Sequence, residues 1–218
     1  MTEPFRCELV SRDRIYQMSR LLAAEIRGRG FVPDIVVAIA RGGFVPARIL
    51  CDYLDISTLT SIQVTHYTAG ASRKKCARLA APLTTDVRGL HVLIADDVND
   101  TGETLAVALE HISGFQPAGV RVAVLHTKQV STFRPDFYVG RVVKWRWLIY
   151  PWAVIEDVTG LLDKMTARPA TPEEAALFFA RQFQCRVPLG ILQDVYALAG
   201  WTSPPAAGVW RTAREKVE

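Results

Sequence analysis

Residues 92–105 read VLIADDVNDTGETL, and this pattern determines the predicted fold. Its first four residues, 92–95, are apolar and predict a strand that is buried on both faces. Two carboxylates, Asp96 and Asp97, follow at the carboxyl end of that strand. A short Thr-Gly turn follows, and a helix is predicted from Glu103. Several backbone N–H groups then converge at the start of that helix, where they would bind an anion such as a phosphate.

The adjacent carboxylates favour a sugar phosphate over inorganic phosphate. Two acidic groups beside a phosphate would repel it unless they bind other partners, and ribose hydroxyls or a divalent cation are the available ones. The alternative is that Asp96 and Asp97 only cap the turn that follows the strand. The hydroxyls of Thr101 and Thr104 add donors for a terminal phosphate, so the complete string favours the first interpretation.

The flanking sequence predicts strands that alternate with helices. Helices are predicted over residues 12–26, 45–54 and 103–112. Strands are predicted over residues 35–40, 61–67, 91–95 and 120–125, with one or two more over residues 136–149, separated at Gly140 and Arg141. This alternation is typical of α/β proteins with a largely parallel, twisted sheet flanked by helices.

Two segments fall outside this alternation. Residues 68–88 show weak periodicity and predict, for the most part, a long loop of the kind used as a lid or binding element. From about residue 170 the sequence predicts helices alone. The first begins with Thr171 as N-cap, Pro172 at the first helical position and Glu174 as the capping-box partner, and a second is predicted over residues 188–198.

Composition narrows the classes of partner. The net charge of +4 suits an anionic partner, either nucleic acid or a polyphosphate metabolite. The cysteines form no C-x-x-C pair and the histidines show no ligand spacing, so any metal is expected to arrive with a phosphate substrate. Apolar runs are too short to span a bilayer, and the N-terminus lacks the apolar core of a secretory signal, so we expect a cytoplasmic protein without a membrane partner.

The segment 92–104 resembles the motif that binds phosphoribosyl pyrophosphate (PRPP) in type I phosphoribosyltransferases, in which four apolar residues precede two acidic residues and a D-T-G-x-T ending. The resemblance implies a Mg²⁺-dependent enzyme that uses PRPP. It implies that Asp96 and Asp97 hold the ribose hydroxyls and the metal. The 5′-phosphate loop is then Asp100, Thr101, Gly102, Glu103 and Thr104, with Asp100 also the general base near the purine N7.

Two further segments are similar to elements of the same family. The sequence from Ala40 to Pro46 is similar to its pyrophosphate loop, which implies pyrophosphate binding by Arg41, Gly42 and Gly43 and a cis peptide bond between Ala40 and Arg41. Residues 68–88 resemble its mobile catalytic loop. Tyr67, Lys74 and Lys75 are assigned to that loop. Arg73, Lys74 and Lys75 either touch the pyrophosphate or belong to a solvated basic loop.

The base site resembles that of the xanthine-guanine enzymes. By that resemblance Lys128 reads the O6 atom of a purine, Trp147 stacks on the ring, and Leu148 and Ile149 contribute main-chain groups. Packing is the alternative, because tryptophans in an apolar region such as Trp145 and Trp147 more often belong to a core than to a ligand site. The choice among xanthine, hypoxanthine and guanine stays open.

The resemblance covers residues 34–152 and implies a type I phosphoribosyltransferase fold. We expect a phosphoribosyltransferase domain with a small hood over residues 1–168 and a helical C-terminal extension over residues 169–218. The expected reaction, in purine salvage, transfers the phosphoribosyl group of PRPP to a 6-oxopurine, giving a nucleoside 5′-monophosphate and pyrophosphate. A homo-oligomer, either a dimer or a tetramer, is also expected.

Two alternatives share this fold. A PRPP-sensing transcriptional regulator would read DNA with its tail, but residues 188–200 contain no basic residue, which disfavours a recognition helix and nucleic acid as a partner. A pyrimidine or orotate transferase is disfavoured by Lys128 and the Trp-rich segment. Glu156 and Asp157 are either a second cation contact or surface charge.

Overall fold

The computed structural model of the chain describes residues 5–68 and 75–201, except for the side chains of residues 67, 68, 75 and 76. Its strands are β1 (Arg6–Leu9), β2 (Ile35–Ala40), β3 (Leu59–Thr68), β4 (Lys75–Ala81), β5 (His91–Asn99), β6 (Gly119–Lys128), β7 (Phe137–Val142) and β8 (Arg146–Ile149). Its helices are α1 (Arg12–Gly28), α2 (Phe44–Leu54), α3 (Glu103–Ser113), α4 (Val154–Asp163), α5 (Pro172–Gln182) and α6 (Leu189–Leu198). No helix in these ranges is both long and apolar enough to cross a lipid bilayer.

A sheet of six strands in the order β4-β3-β2-β5-β6-β7 forms the centre of the fold. Every neighbouring pair is parallel except β3 and β4. The β2 sequence IVVAIA is buried at every position but Ala40, as expected for a strand covered on both faces. The predicted α/β class, with a largely parallel sheet flanked by helices, is confirmed.

Helices cover this sheet. On one face, α3 packs Leu105, Ala108 and Ile112 into a cluster with alternate residues of the central strands. Val36 and Leu93, which are out of phase with those residues and therefore point to the other face, are also fully buried. Helices α1 and α2 contact each other. Helix α2 also contacts β2, β3 and β5, and α1 contacts β6 and β7. Burial of both faces leaves the strand ends as the place for a ligand.

The predicted loop over residues 68–88 contains a strand, so that prediction was wrong in part. Strand β4 runs antiparallel to β3, with His66 opposite Ala77. Ala77 and Leu79 alternate along it and pack against the core cluster. The small alanines of this strand and its basic residues Lys75 and Arg78 hid this alternation in the sequence.

The predicted break at Gly140 and Arg141 was also wrong, because β7 runs through both residues. Gly140 lies opposite His126 of β6. A Cβ at Gly140 would lie 2.5 Å from Cδ2 of His126. The glycine therefore serves the close approach of a neighbouring side chain and does not make a turn.

The chain divides into two compact units: Ser11–Trp145 forms one, and the described residues before and after it form the other. This division falls at different residues from the expected one at 168 and 169, which rests on the resemblance and stays a prediction. The second unit pairs β1 with β8 in parallel, and its core includes Ile149, Phe179 and Tyr196. Strand β1 and helix α4 belong to this unit and were not predicted.

The first tail helix, α5, begins where it was predicted. The Thr171 hydroxyl accepts a hydrogen bond from the Glu174 N–H at 3.2 Å, and Pro172 is the first helical residue. The Glu174 carboxylate accepts from the N–H of Ala170 at 2.8 Å, one residue before the expected donor. The helical prediction beyond residue 201 lies outside the described residues.

Asp157 is a partly buried carboxylate in the second unit. Its pKa is raised to about 6, mainly by burial; the indole of Trp147 opposes the rise, and the charge of the neighbouring Glu156 adds to it. Trp147 itself packs against the core of this unit. The carboxylate therefore titrates closer to neutral pH than an ordinary aspartate.

Replacement of Thr171 by Ala is expected to destabilise α5 by about 1 kcal/mol, because the Glu174 N–H loses its acceptor. Hydrogen exchange at the amide of Glu174 should accelerate about fivefold. The Thr171→Ser variant keeps the acceptor and serves as the matched control. Equal exchange rates in the Ala and Ser variants would contradict this account of the cap.

Replacement of Asp157 by Asn is expected to stabilise the protein at pH 7.5 by about 1 kcal/mol, less than the full shift implies because the group is partly screened by solvent. The pKa of Asp157 in the folded state lies above the ordinary value of 3.8. Protonation of Asp157 therefore stabilises the folded state fully below about pH 3.8, and this stabilisation is lost as the pH rises through about 6. Urea unfolding of both proteins at pH 4 and pH 7.5 measures this. A difference that does not shrink at pH 4 would contradict it.

Candidate active site

The carboxyl ends of β2, β5 and β6 lie side by side, because the three strands are neighbours and run parallel. Ala38 of β2 is in register with Ala95 of β5, and Asn99 of β5 is in register with Thr127 of β6. The polar residues at and after these strand ends therefore share one edge of the sheet. In open α/β sheets, ligands bind at this edge.

The predicted pyrophosphate loop lies against the predicted ribose-binding residues. A Cβ at Gly42 would lie 2.6 Å from Oδ2 of Asp97. A Cβ at Gly43 would collide with the backbone of Ile39 and with the carbonyl oxygen of Ala95. The peptide bond between Ala40 and Arg41 is cis, as predicted. Both glycines are thus required where the loop after β2 approaches β5.

Asp96 is buried beside a second carboxylate. It is 7% exposed, and its Oδ1 accepts a hydrogen bond from the N–H of Asp97 at 2.9 Å. Burial raises the pKa of Asp96 well above its ordinary value, the charge of Asp97 raises it further, and the backbone donor lowers it. Ionisation of Asp96 is therefore costly, and a cation or the hydrogen-bond donors of a ligand would offset that cost.

The same pair fits a magnesium ion that arrives with a substrate. Carboxylate oxygens are hard ligands, and Mg²⁺ is usually held by one or two carboxylates together with substrate phosphates. Across residues 5–68 and 75–201, no group of three or more His, Cys, Asp or Glu side chains is arranged to hold a metal. Asp96 and Asp97 would supply two carboxylates to such an ion and the substrate the remaining ligands, which stays a prediction.

The predicted phosphate loop has the geometry of an anion site. Gly102 is the N-cap of α3 and has φ of 97°, in the left-handed region that favours glycine. A Cβ there would lie 2.5 Å from Cβ of Phe133. Gly102 has no side chain to cap the helix, and the N–H of Glu103, the first helical residue, donates to the hydroxyl oxygen of the exposed Thr101 at 3.4 Å.

A buried asparagine, whose structural role the sequence analysis missed, supports this loop. Asn99 is 1% exposed, donates to the carbonyl of Phe133 at 2.9 Å and accepts from the hydroxyl of Ser131 at 2.7 Å. The N–H and hydroxyl of Thr132 both donate to the carbonyl of Thr101 at 3.2 Å. The segment after β6 thereby holds the phosphate loop in place.

His66 is a second residue to which the sequence analysis gave no site role. Its Nε2 lies 3.1 Å from the hydroxyl oxygen of Thr104, and its Nδ1 lies 4.0 Å from a carboxylate oxygen of Glu103. The carboxyl end of β3 therefore also reaches the phosphate loop. Nothing in the sequence around His66 indicated this contact, because it depends on the position of β3 in the sheet.

The predicted general base and the predicted O6 reader are in direct contact. Nζ of Lys128 lies 2.9 Å from Oδ1 of Asp100. Lys128 is 4% exposed, whereas the side chain of Asp100 is 38% exposed. The Lys128 ammonium also lies 4.7 Å from the ring centroid of Trp145. The register of β5 with β6 explains the ion pair, because Asn99 pairs with Thr127 and the next residue on each strand is Asp100 or Lys128.

The other predicted base-binding residues lie on β8 in the second unit. Leu148 is 6% exposed and Ile149 is fully buried, so their side chains belong to a core. The carbonyl of Ile149 accepts a hydrogen bond from the N–H of Val10 at 2.9 Å. Trp147 pairs with Cys7 in the two-stranded sheet. The roles of Trp147, Leu148 and Ile149 at a base stay predictions.

The mobile-loop assignments also stay predictions. Arg73 and Lys74 lie outside the described residues. The backbones of Tyr67 and Lys75 belong to β3 and β4, but their side chains are not described.

Comparison with known proteins identifies the family. The phosphoribosyl transferase domain family matches residues 8–164. The chain is 33% identical over 153 residues to a xanthine-guanine phosphoribosyltransferase of a Ruegeria species, an alignment that covers 66% of this chain and 83% of the relative.

Solved structures show the same fold. A purine phosphoribosyltransferase from Pyrococcus horikoshii is 31% identical, with a TM-score of 0.60, and the match covers 67% of this chain and 93% of that one. A hypothetical protein from Neisseria gonorrhoeae with bound ppGpp is 28% identical, with a TM-score of 0.61, and the match covers 68% and 89% of the two chains. Since the family match spans most of its length, the chain belongs to the phosphoribosyl transferase domain family of transferases.

Proposed function

We propose that this protein transfers the phosphoribosyl group of PRPP to a 6-oxopurine base in the presence of Mg²⁺, releasing pyrophosphate and forming a nucleoside 5′-monophosphate for purine salvage. The observation that carries the proposal is the contact of the Gly42 backbone with Asp97. It joins the loop proposed for the pyrophosphate end of PRPP to the strand that leads into the loop proposed for the 5′-phosphate. The purine enzymes among the relatives support the choice of base.

PRPP would lie along the edge of the sheet. Its 5′-phosphate would accept hydrogen bonds from the hydroxyls of Thr101 and Thr104 and from the N–H groups of Gly102 and Glu103, where α3 begins. The pyrophosphate would bind at Arg41, Gly42 and Gly43. The ribose hydroxyls between them would donate to Asp96 and Asp97. Fixing both ends of PRPP orients its reacting carbon towards the base, which removes much of the entropic part of the barrier.

Asp96 and Asp97 would hold the metal. When bound, Mg²⁺ supplies charge stabilisation for the leaving pyrophosphate. Arg41 would add donors on the other side of the same group. Since ionised Asp96 is costly in the protein alone, ligand binding also relieves the repulsion between the two carboxylates.

The base would bind between Lys128 and Asp100. A lysine ammonium has donors and no acceptor, so it bonds a 6-oxo group and offers nothing to a 6-amino group. Asp100 would take or share the proton at N7 of the purine. We include Trp147 as the stacking ring and the main chain of Leu148 and Ile149 as the contacts to the opposite edge of the base, following the resemblance.

The described tail offers no support for a DNA-reading regulator. Helix α6 carries no basic residue and buries Leu192, Val195 and Tyr196 in the core of its unit. A recognition helix needs polar and basic side chains facing the groove. Catalysis is therefore the only function that we propose.

The direct test supplies the purified protein with PRPP, Mg²⁺ and single bases, and measures pyrophosphate release. We expect turnover with at least one of hypoxanthine, guanine and xanthine, and none with adenine or orotate. Release with orotate alone would replace the proposal by a pyrimidine transferase. If no base supports release and a DNA fragment shifts in a gel, the regulator becomes the better account.

The Asp100→Asn variant tests the general base. An amide cannot accept the proton, so kcat should fall by about 10²–10⁴-fold. The matched control is Asp55→Asn, which lies at the C-cap of α2 with φ of 58°, a conformation that asparagine tolerates. Full turnover by Asp100→Asn would remove this assignment.

The Gly42→Ala variant tests the junction between the pyrophosphate loop and the acidic pair. The added Cβ would displace the Asp97 carboxylate, which lies 2.6 Å from its position. We expect KM for PRPP to rise about tenfold or more, with a smaller change in KM for the base. Gly160→Ala in α4 is the control, since nothing lies within 4 Å of its Cβ position. Similar kinetics in the two variants would contradict the junction.

A further inference from the structure

We propose that Trp145 is a positioning residue for base recognition. Its ring holds the ammonium of Lys128 against Asp100, and from that position the ammonium donates a hydrogen bond to the oxygen at C6 of the purine. The inference rests on the proposed function and extends it to a residue to which the sequence analysis gave no role in the site.

The contacts of the Lys128 ammonium carry the inference. Its Nζ lies 2.9 Å from Oδ1 of Asp100 and 4.7 Å from the centroid of the Trp145 ring, in a residue that is 4% exposed. A buried ammonium is costly unless it is paired. A cation at this distance from an aromatic ring is attracted by the ring quadrupole, most strongly for tryptophan. The carboxylate and the ring therefore compensate together for the burial of one charge.

The exposure of Trp145 indicates that it is not simply a core residue. It remains 43% exposed on the segment after β7, although an indole that serves packing is normally well buried. Trp147 differs, since it packs against the core of its own unit. The contact of the exposed Trp145 ring with Lys128 therefore gives it a role beyond packing.

Fixing the ammonium matters for specificity. Lysine has a flexible stem and a compact charge, so a single carboxylate contact leaves its direction poorly defined. The ring covers the ammonium and keeps water from competing for its donors. Because Lys128 discriminates 6-oxo from 6-amino purines through donors alone, its placement decides how well that discrimination works. PRPP is proposed to bind at other residues, so its KM should depend much less on the ring of Trp145.

The test combines Trp145→Leu, Trp145→Phe, Lys128→Met and the double variant Trp145→Leu with Lys128→Met. For Trp145→Leu we expect KM for the 6-oxopurine to rise about tenfold and KM for PRPP to change less than about twofold. Trp145→Phe keeps a ring, so its KM for the 6-oxopurine should rise less than about threefold. In the Lys128→Met background, the further change Trp145→Leu should raise KM for the 6-oxopurine less than about twofold, because the ring acts through the lysine.

Controls separate a positioning role from a structural one. Tyr138→Leu removes another exposed aromatic residue of the same unit and should leave KM for the base unchanged. Thermal unfolding of each variant shows whether the fold is retained. An undiminished effect of Trp145→Leu in the Lys128→Met background would show that the ring contacts the base directly, and would overturn the proposal. So would an unchanged KM for the base in Trp145→Leu.

A readout without substrate distinguishes failure of this inference from failure of the proposed function. The ring current of Trp145 should shift the ε-methylene NMR signals of Lys128, and the shift should disappear in Trp145→Leu. If the wild-type protein transfers nothing to any base, the proposed function fails and positioning for catalysis fails with it. If turnover is normal and the Lys128 signals are the same in both proteins, only the inference about Trp145 is overturned.

Discussion

The parallel pairing of β5 with β2 on one side and β6 on the other is the constraint on which the site depends. It brings three strand ends to one edge, so that the glycine loop after β2, the acidic pair of β5 and Lys128 of β6 become neighbours. The approach is close enough that Gly42 and Gly43 have no room for a side chain. A shift of register between these strands would separate the groups that we assign to the two ends of one substrate.

Charge burial at this edge is tolerated in two different ways. Burial, together with the charge of the neighbouring Asp97, raises the pKa of Asp96, and a ligand would offset the cost of its ionisation. Lys128 is buried as well, but the protein itself supplies a carboxylate from Asp100 and an aromatic ring from Trp145. The acidic end is therefore prepared for a cationic or hydroxyl-bearing ligand. The basic end is already organised by contacts within the protein.

Most of the secondary structure followed from local patterns, and the exceptions have physical reasons. Strand β2, a continuous apolar run rich in β-branched residues, was predicted to the residue. Strand β4 was missed because small and basic residues weaken its alternation, and β1 because it has only four residues. Gly140 was taken for a break, although it is the residue that makes room for His126 inside β7.

The sequence by itself determined the acidic strand end, the Thr-Gly turn and the cap at Thr171, because each depends on residues that are adjacent in the chain and on preferences that act locally. Only the tertiary structure decided the approach of Gly42 to Asp97 and of Lys128 to Trp145. These contacts join residues far apart in the sequence through strand order and register. No local preference encodes that arrangement, since it emerges from burying both faces of the whole sheet at once.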